Sequence, residues 1–136
     1  MHLHQTTYRV TYSDTDQMGY VYYGHYARLY EIGRAEMLRA LGLTYQSFEK
    51  DMRIMMPVMH LECKYLRPAL YDELLTIETV LQELPSKMIT FHHRIMNENE
   101  ELLNKGQVKL FFIDMNTQKR RSSPEILTKK LLPYFG

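Results

Sequence analysis

From His4 to Tyr12 polar and apolar positions alternate, with Tyr8, Val10 and Tyr12 on one side, which predicts a first strand with one face toward a core. The period then changes. From Tyr23 onward Tyr26, Leu29, Tyr30, Gly33, Met37 and Leu41 recur at spacings of three and four, which predicts an amphipathic helix of about five turns. Gly42 supplies its C-terminal stop. Arg28, Glu31, Arg34, Glu36 and Arg39 fall mostly off the apolar face. Gly24 and Gly33, if interior, each cost the helix about 1 kcal/mol of propensity. That cost implies very close packing by a neighbour.

After Gly42, Thr44 is placed to cap a short second helix running to Met52, with Tyr45 and Phe48 on one side. Four strand-like runs follow: Ile54–Leu66, Leu74–Leu84, Met88–Asn97 and Leu102–Met115. The connections Arg67–Asp72, Pro85-Ser86 and Asn97–Glu101 are too short for a parallel crossover, so neighbouring strands are expected to be antiparallel. Ser123 and Pro124 open a last short helix reaching Phe135. One long helix beside an antiparallel sheet of about five strands is an α+β domain, and 136 residues suit a single domain spanning 1–136.

Composition narrows the class further. Hydrophobic residues at 45% and charged residues at 24% describe an ordinary soluble globular chain. A net charge of +1 gives no reason to expect nucleic acid as a partner. No apolar run is long enough to insert in a bilayer, and the start MHLHQTTYRV lacks the apolar core of a signal peptide, so a cytoplasmic location is expected. Cys63, the single cysteine, falls inside a predicted strand without a cationic cluster aimed at it, and reads as a small apolar residue rather than a nucleophile. His92 and His93 are adjacent in a strand and point to opposite faces, and His2 and His4 lie at the chain end; no metal site and no cofactor is predicted.

The stretch richest in chemistry joins the first strand to the long helix. Asp14 and Asp16 sit two apart in a turn closed by Gly19, just before the helical pattern begins. Unpaired amides at a helix N-terminus carry partial positive charge and suit an oxyanion, so a carboxylate facing them makes a hydrolytic site. Aspartates in loops also commonly bond nearby backbone amides. Spacing alone leaves both readings open.

Tyr12, Asp14, Thr15, Asp16, Gly19, Val21, Tyr22 and Tyr26, in the order Tyr-x-Asp-Thr-Asp-x-x-Gly-x-Val-Tyr-x-x-x-Tyr, resemble the signature of hotdog-fold thioesterases. The nearest likeness is to 4-hydroxybenzoyl-CoA thioesterase and the short acyl-CoA thioesterases of the tol-pal cluster. Arg67-Pro68-Ala69 and Tyr71-Asp72-Glu73-Leu74 continue the likeness into the sheet. The resemblance implies a sheet curled round the central helix, a homodimer joined edge to edge and commonly paired into a tetramer, and active sites at the dimer interface. It also implies an acyl-CoA thioesterase without metal or redox cofactor. In it, Asp16 is the catalytic carboxylate, as nucleophile or general base, and the backbone amide of Tyr23 receives the carbonyl oxygen. Some relatives carry histidine where Tyr23 stands, so only the backbone role carries over. His25 points elsewhere on the helix and does not replace that histidine.

Asp14 is read as a turn former that holds Asp16; the other view is that the two carboxylates raise one another's pKa. Gly19, Tyr26, Met56, Val58 and His60 are candidate substrate contacts, Val58 and His60 sharing strand parity with Met56. Lys64, Arg67 and Arg120 are candidates for the phosphates of CoA. Two alternatives stand beside the leading one: a thioesterase acting on acyl groups held by acyl carrier protein, and a non-catalytic acyl-CoA binding module. A hotdog dehydratase or hydratase fits less well, since those relatives rely on histidine where this signature centres on Asp16.

Overall fold

A single long strand, β6 (Leu102–Asp114), is the spine of the computed structural model, which describes residues 1–136. Most of β6 lies between β5 (Met88–Met96) and β3 (Val58–Tyr65), and its last residues lie between β2 (Ile54–Met55) and β7 (Lys119–Arg121). β4 (Leu74–Leu81) pairs with β5, and β1 (His2–Arg9) with β4; every pair is antiparallel. The main order is therefore β1-β4-β5-β6-β3, with β1 and β3 at the edges. Alternation sets the inner face: Ile89, Phe91, His93 and Ile95 of β5 are buried, while Met88 and Arg94 are exposed.

The helix predicted from the apolar period is α1 (Tyr26–Ala40), entered through a 3-10 turn at Tyr23–His25. It packs on β1, β4 and β5, and each of its expected core positions, Tyr26, Leu29, Tyr30, Gly33 and Met37, is buried. Gly42, at φ 82°, ends it in the left-handed region. α2 (Tyr45–Lys50) follows, capped as expected by Thr44, whose hydroxyl accepts from the Ser47 amide at 3.0 Å. α3 (Glu125–Leu131) and a 3-10 turn at Leu132–Tyr134 close the chain. An antiparallel sheet curled against one central helix is the α+β hotdog arrangement that the resemblance implied. No helix is long and apolar enough to cross a membrane.

Gly33 shows why the helix tolerates a poor helix former. A Cβ there would lie 2.5 Å from the Thr79 hydroxyl oxygen and 2.8 Å from Cγ2 of Ile77, so the missing side chain is what lets α1 settle on β4. Gly33→Val is expected to destabilise the protein by about 3 kcal/mol through overpacking, read as a lower urea midpoint with unchanged slope. Gly24 is different: only the ring of Tyr22 comes near it, outside α1.

Three expectations need correction. β1 starts at His2 and ends at Arg9, and Tyr12 belongs to a 3-10 turn, Tyr12–Asp14, because the Thr11 amide and hydroxyl both donate to Asp14 and close the chain there. The run Ile54–Leu66 is two strands, since Pro57 has no N–H to give to the ladder. A register shift between Val58 and His60 sets Val58 opposite Leu110 and His60 opposite Lys109, so the two do not share a face. The basic run Lys119-Arg120-Arg121 forms a short exposed strand, β7. Asp114 makes that hairpin by accepting from the amides of Asn116 and Thr117 through Oδ1 and of Gln118 through its carbonyl.

Candidate active site

The two aspartates of the turn have opposite environments. Asp14 is 3% exposed, and its Oδ2 accepts from the Tyr8 hydroxyl at 2.8 Å, the Thr11 amide at 2.8 Å and the Thr11 hydroxyl at 2.9 Å. Arg28 reaches its Oδ1 at 3.4 Å. Burial by itself would raise this carboxyl, but those hydrogen bonds and the Arg28 charge outweigh it and hold the pKa below the ordinary aspartate value. The view that Asp14 and Asp16 raise each other's pKa therefore fails for Asp14. Its carbonyl also accepts from the Tyr22 amide at 2.8 Å, which ties the turn to the entrance of α1.

Asp16 is half-buried and only partly engaged. Its Oδ1 accepts from the Met18 amide at 2.9 Å and the Tyr20 amide at 3.3 Å, while Oδ2 has no partner within the chain. The backbone of the same residue closes the turn, with the Gly19 amide donating to its carbonyl at 3.0 Å. Gly19 sits at φ 77°, a conformation that favours glycine, and this is what folds the chain back so that Oδ1 meets two amides. The turn is fastened to the sheet by Val21, whose amide donates to the Ala69 carbonyl at 2.8 Å.

Asp16 opens into a cavity of about 320 Å³, walled by Tyr23, Tyr26, Tyr65, Arg67 and Pro68 among others. The amides of Tyr23 and Gly24, at the first turn before α1, donate to nothing in the chain. They are the orphan donors of a helix start. Across the cavity the Tyr65 hydroxyl donates to the Tyr23 carbonyl at 3.1 Å, and the Tyr65 ring meets that of Tyr26 edge-on at 5.4 Å. One free carboxylate oxygen, the start of the turn that carries the free amides and an aromatic wall thus border one cavity, an arrangement suited to addition to a carbonyl carbon with the charge developing on its oxygen.

Residues 10–131 match the family model of the thioesterase-like superfamily. The chain belongs to that superfamily. It is a thioester hydrolase, in keeping with its named relatives. The acyl-CoA thioesterase YbgC of Haemophilus influenzae is 34% identical over 117 residues, which cover 86% of this chain and 85% of the relative. Among solved structures, a hypothetical protein of Thermus thermophilus superposes with a TM-score of 0.87 at 29% identity, covering 97% of each chain. A 1,4-dihydroxy-2-naphthoyl-CoA thioesterase of Synechocystis reaches a TM-score of 0.90 at 17% identity over 99% of each chain, a likeness of fold alone.

In this thioesterase Asp16, Tyr23, Tyr26 and Arg67 meet at one cavity, and the other candidates lie apart from it. Gly19 shapes the turn without lining the cavity. Met56 packs half-buried on the core, and Val58 and His60 are exposed on β3. The three phosphate candidates fall in three places: Arg67 in the Asp16 cavity, bonded to Glu101 at 2.6 Å; Arg120 on the ring of Phe111 at 4.6 Å; and Lys64 in a groove of about 550 Å³ on the outer sheet face. Tyr65, Lys105 and Arg94 escaped the sequence reading. Tyr65 stands two residues before Arg67, a usable signal, but Lys105 and Arg94 join Lys64 only through strand register. Cys63 lies on edge strand β3, half-buried, with Asn104 donating to its sulfur at 3.1 Å and the Tyr30 hydroxyl 3.4 Å away.

Proposed function

We propose that this thioesterase hydrolyses acyl-CoA to the free acid and CoA, with Asp16 as general base or nucleophile and the Tyr23–Gly24 turn as oxyanion site. The observation that carries the reading is the unpartnered Oδ2 of Asp16 in the same cavity as the Tyr23 turn with its free amides. As base, Oδ2 takes a proton from water while the hydroxide adds to the thioester carbon; the oxyanion rests on the amides, then collapses and expels the thiolate, which takes the proton back. As nucleophile, Oδ2 itself adds, the thiolate leaves, and water cleaves the resulting mixed anhydride. A thiolate leaves readily, so neither route needs a strong acid.

Lys64 pairs directly with Lys105, and Lys105 with Arg94, giving three cations abreast across β3, β6 and β5 on the wall of the outer groove. Like charges directly opposite one another destabilise a sheet. Phosphate groups of CoA would relieve the repulsion, and only Arg94 has a carboxylate of its own, Glu78 at 3.3 Å. Lys64→Glu with Lys105→Glu is expected to raise KM for acyl-CoA about 10-fold, the loss of about 1.4 kcal/mol of binding, with kcat within twofold.

The reading includes a homodimer joined along β3. That edge strand leaves one side of its backbone unpaired beside exposed Val58, Met59, Leu61 and Tyr65, and an uncovered edge of this kind invites pairing. Free-thiol release from short, long and aromatic acyl-CoAs, run on the parent and on Asp16→Asn, tests the activity, and sedimentation of the same samples tests the dimer. Hydrolysis of carrier-protein esters alone would move the reading to the acyl-carrier-protein alternative. Binding of a thioether analogue without any hydrolysis would leave a binding module.

A further inference from the structure

Resting on that function, we infer that Tyr8 is a positioning residue of the active site: its hydroxyl ties Asp14 to Arg28 and so fixes where the Asp16 carboxylate stands relative to the start of α1. Residues 14–16 and 20–22 run antiparallel, bridged at Thr15 and Val21, with the Tyr22 amide donating to the Asp14 carbonyl at 2.8 Å and the Asp16 amide to the Tyr20 carbonyl at 2.9 Å. This small ladder carries Asp16 on one segment and leads straight into Tyr23 on the other. The second segment is moored to residues 69–70, where the Val21 amide donates to the Ala69 carbonyl and Tyr20 bridges Leu70. The segment that bears Asp16 is moored instead through Asp14, whose buried carboxylate accepts from the hydroxyl of Tyr8, on β1, at 2.8 Å. That same hydroxyl accepts from Arg28 Nη1 at 3.0 Å, and Arg28 belongs to α1. One hydroxyl thus joins the sheet, the turn and the helix.

The structural alternative is that Tyr8 serves the core through its ring alone. Phenylalanine separates the two roles. It keeps the ring packed on the core and under the Arg28 guanidinium, whose carbon lies 5.4 Å from the ring centroid. Asp14 keeps the Thr11 amide and hydroxyl on Oδ2 and Arg28 at 3.4 Å on Oδ1, so its carboxylate is still partnered and the turn still closes. What is lost is the link from β1, and with it the shorter of the two bonds made by Arg28. A misplacement of about 1 Å can cost a reaction about 100-fold, so a partial release of this turn registers in kcat before it registers in binding.

Tyr8→Phe and Arg28→Gln, singly and together, test the assignment. Each single change is expected to lower kcat for acyl-CoA about 10-fold, equivalent to about 1.4 kcal/mol in the barrier, with KM within twofold. Because both act through one hydroxyl, the double variant should lose about 10- to 20-fold, far short of the product of the two singles. Hydrogen exchange at the Tyr22 amide, whose acceptor is the Asp14 carbonyl, is expected to quicken in each variant. An unchanged kcat in Tyr8→Phe, a loss confined to KM, or single losses that multiply in the double variant overturns the inference. The Arg28 side chain is 53% exposed; should Tyr8→Phe fail to fold, Arg28→Gln decides alone, and an unchanged kcat there overturns the inference equally. A parent that cleaves no thioester sinks the functional reading instead, which is seen before any variant is compared; an unmoved Tyr22 amide in the folded variants would then overturn the positioning role on its own.

Discussion

Asp16→Asn is expected to lower kcat for acyl-CoA hydrolysis by at least about 100-fold, whichever role the carboxylate plays. Asparagine keeps an oxygen where Oδ1 accepts from the Met18 and Tyr20 amides, so the turn retains its local fastening. The new NH₂ takes the place of Oδ2, the atom with no partner in the chain. It neither accepts a proton from water nor attacks a carbonyl. Melting temperature should therefore stay close to that of the parent while turnover collapses. Asp14→Asn is the informative contrast: there an NH₂ would be forced against the donors Tyr8, Thr11 or Arg28, and any loss of activity should come with a lower melting temperature. Folded Asp16→Asn that turns over within about threefold of the parent would end the catalytic reading of Asp16.

The contrast between these two aspartates explains how far the site was legible. Two carboxylates, a glycine and a helix start in succession place a turn beside orphan amides, and the chain order alone shows that. Two of the donors that saturate Asp14 come from Thr11, a local pattern, but Tyr8 of β1 and Arg28 of α1 complete the set, and no local pattern reports a meeting of separate elements. The period of three and four located the core face of α1 down to Gly33, whose propensity cost correctly foretold the close approach of β4. The same period put Arg34 off that face, yet it is 5% exposed, with Nε 3.4 Å from the Tyr45 hydroxyl and its guanidinium over Phe91. Its charged tip is buried as well, with Nη1 lacking a partner, so a period that weighs only the charge cannot place it. Parity failed at His60 for a related reason: one irregularity after Pro57 reverses every later side chain, and its position is set by the pairing with β6.

Stability is expected to fall steeply between pH 6.5 and pH 4, because His93 is locked in its neutral form. The ring is 1% exposed and stacked on Tyr30 at 4.6 Å, with Nδ1 3.2 Å from the Thr79 hydroxyl and Nε2 buried without a partner. Burial first, then the positive charges of Arg34 from α1 and of neighbouring His92, push its pKa down to about 3, while in the unfolded chain it returns to 6.5. Between those values the unfolded state binds a proton that the native state refuses, so stability is full above pH 6.5 and declines as pH falls toward 3. The slope is about 1.4 kcal/mol per pH unit and the whole effect about 5 kcal/mol, a large share of the roughly 5–15 kcal/mol that holds a domain together. Asp14 adds a second loss at lower pH, since its carboxyl titrates below the unfolded value and its bonds are given up only as pH falls through that lower range. Urea unfolding at pH 7 and pH 4.5 should therefore differ by about 2–3 kcal/mol. His93→Phe keeps a ring against Tyr30 and removes the titration, so its stability should change much less over the same interval, although Thr79 loses its partner at both pH values. If the parent is equally stable at both, or if the variant retains the parent's full slope, the acid sensitivity does not arise from His93.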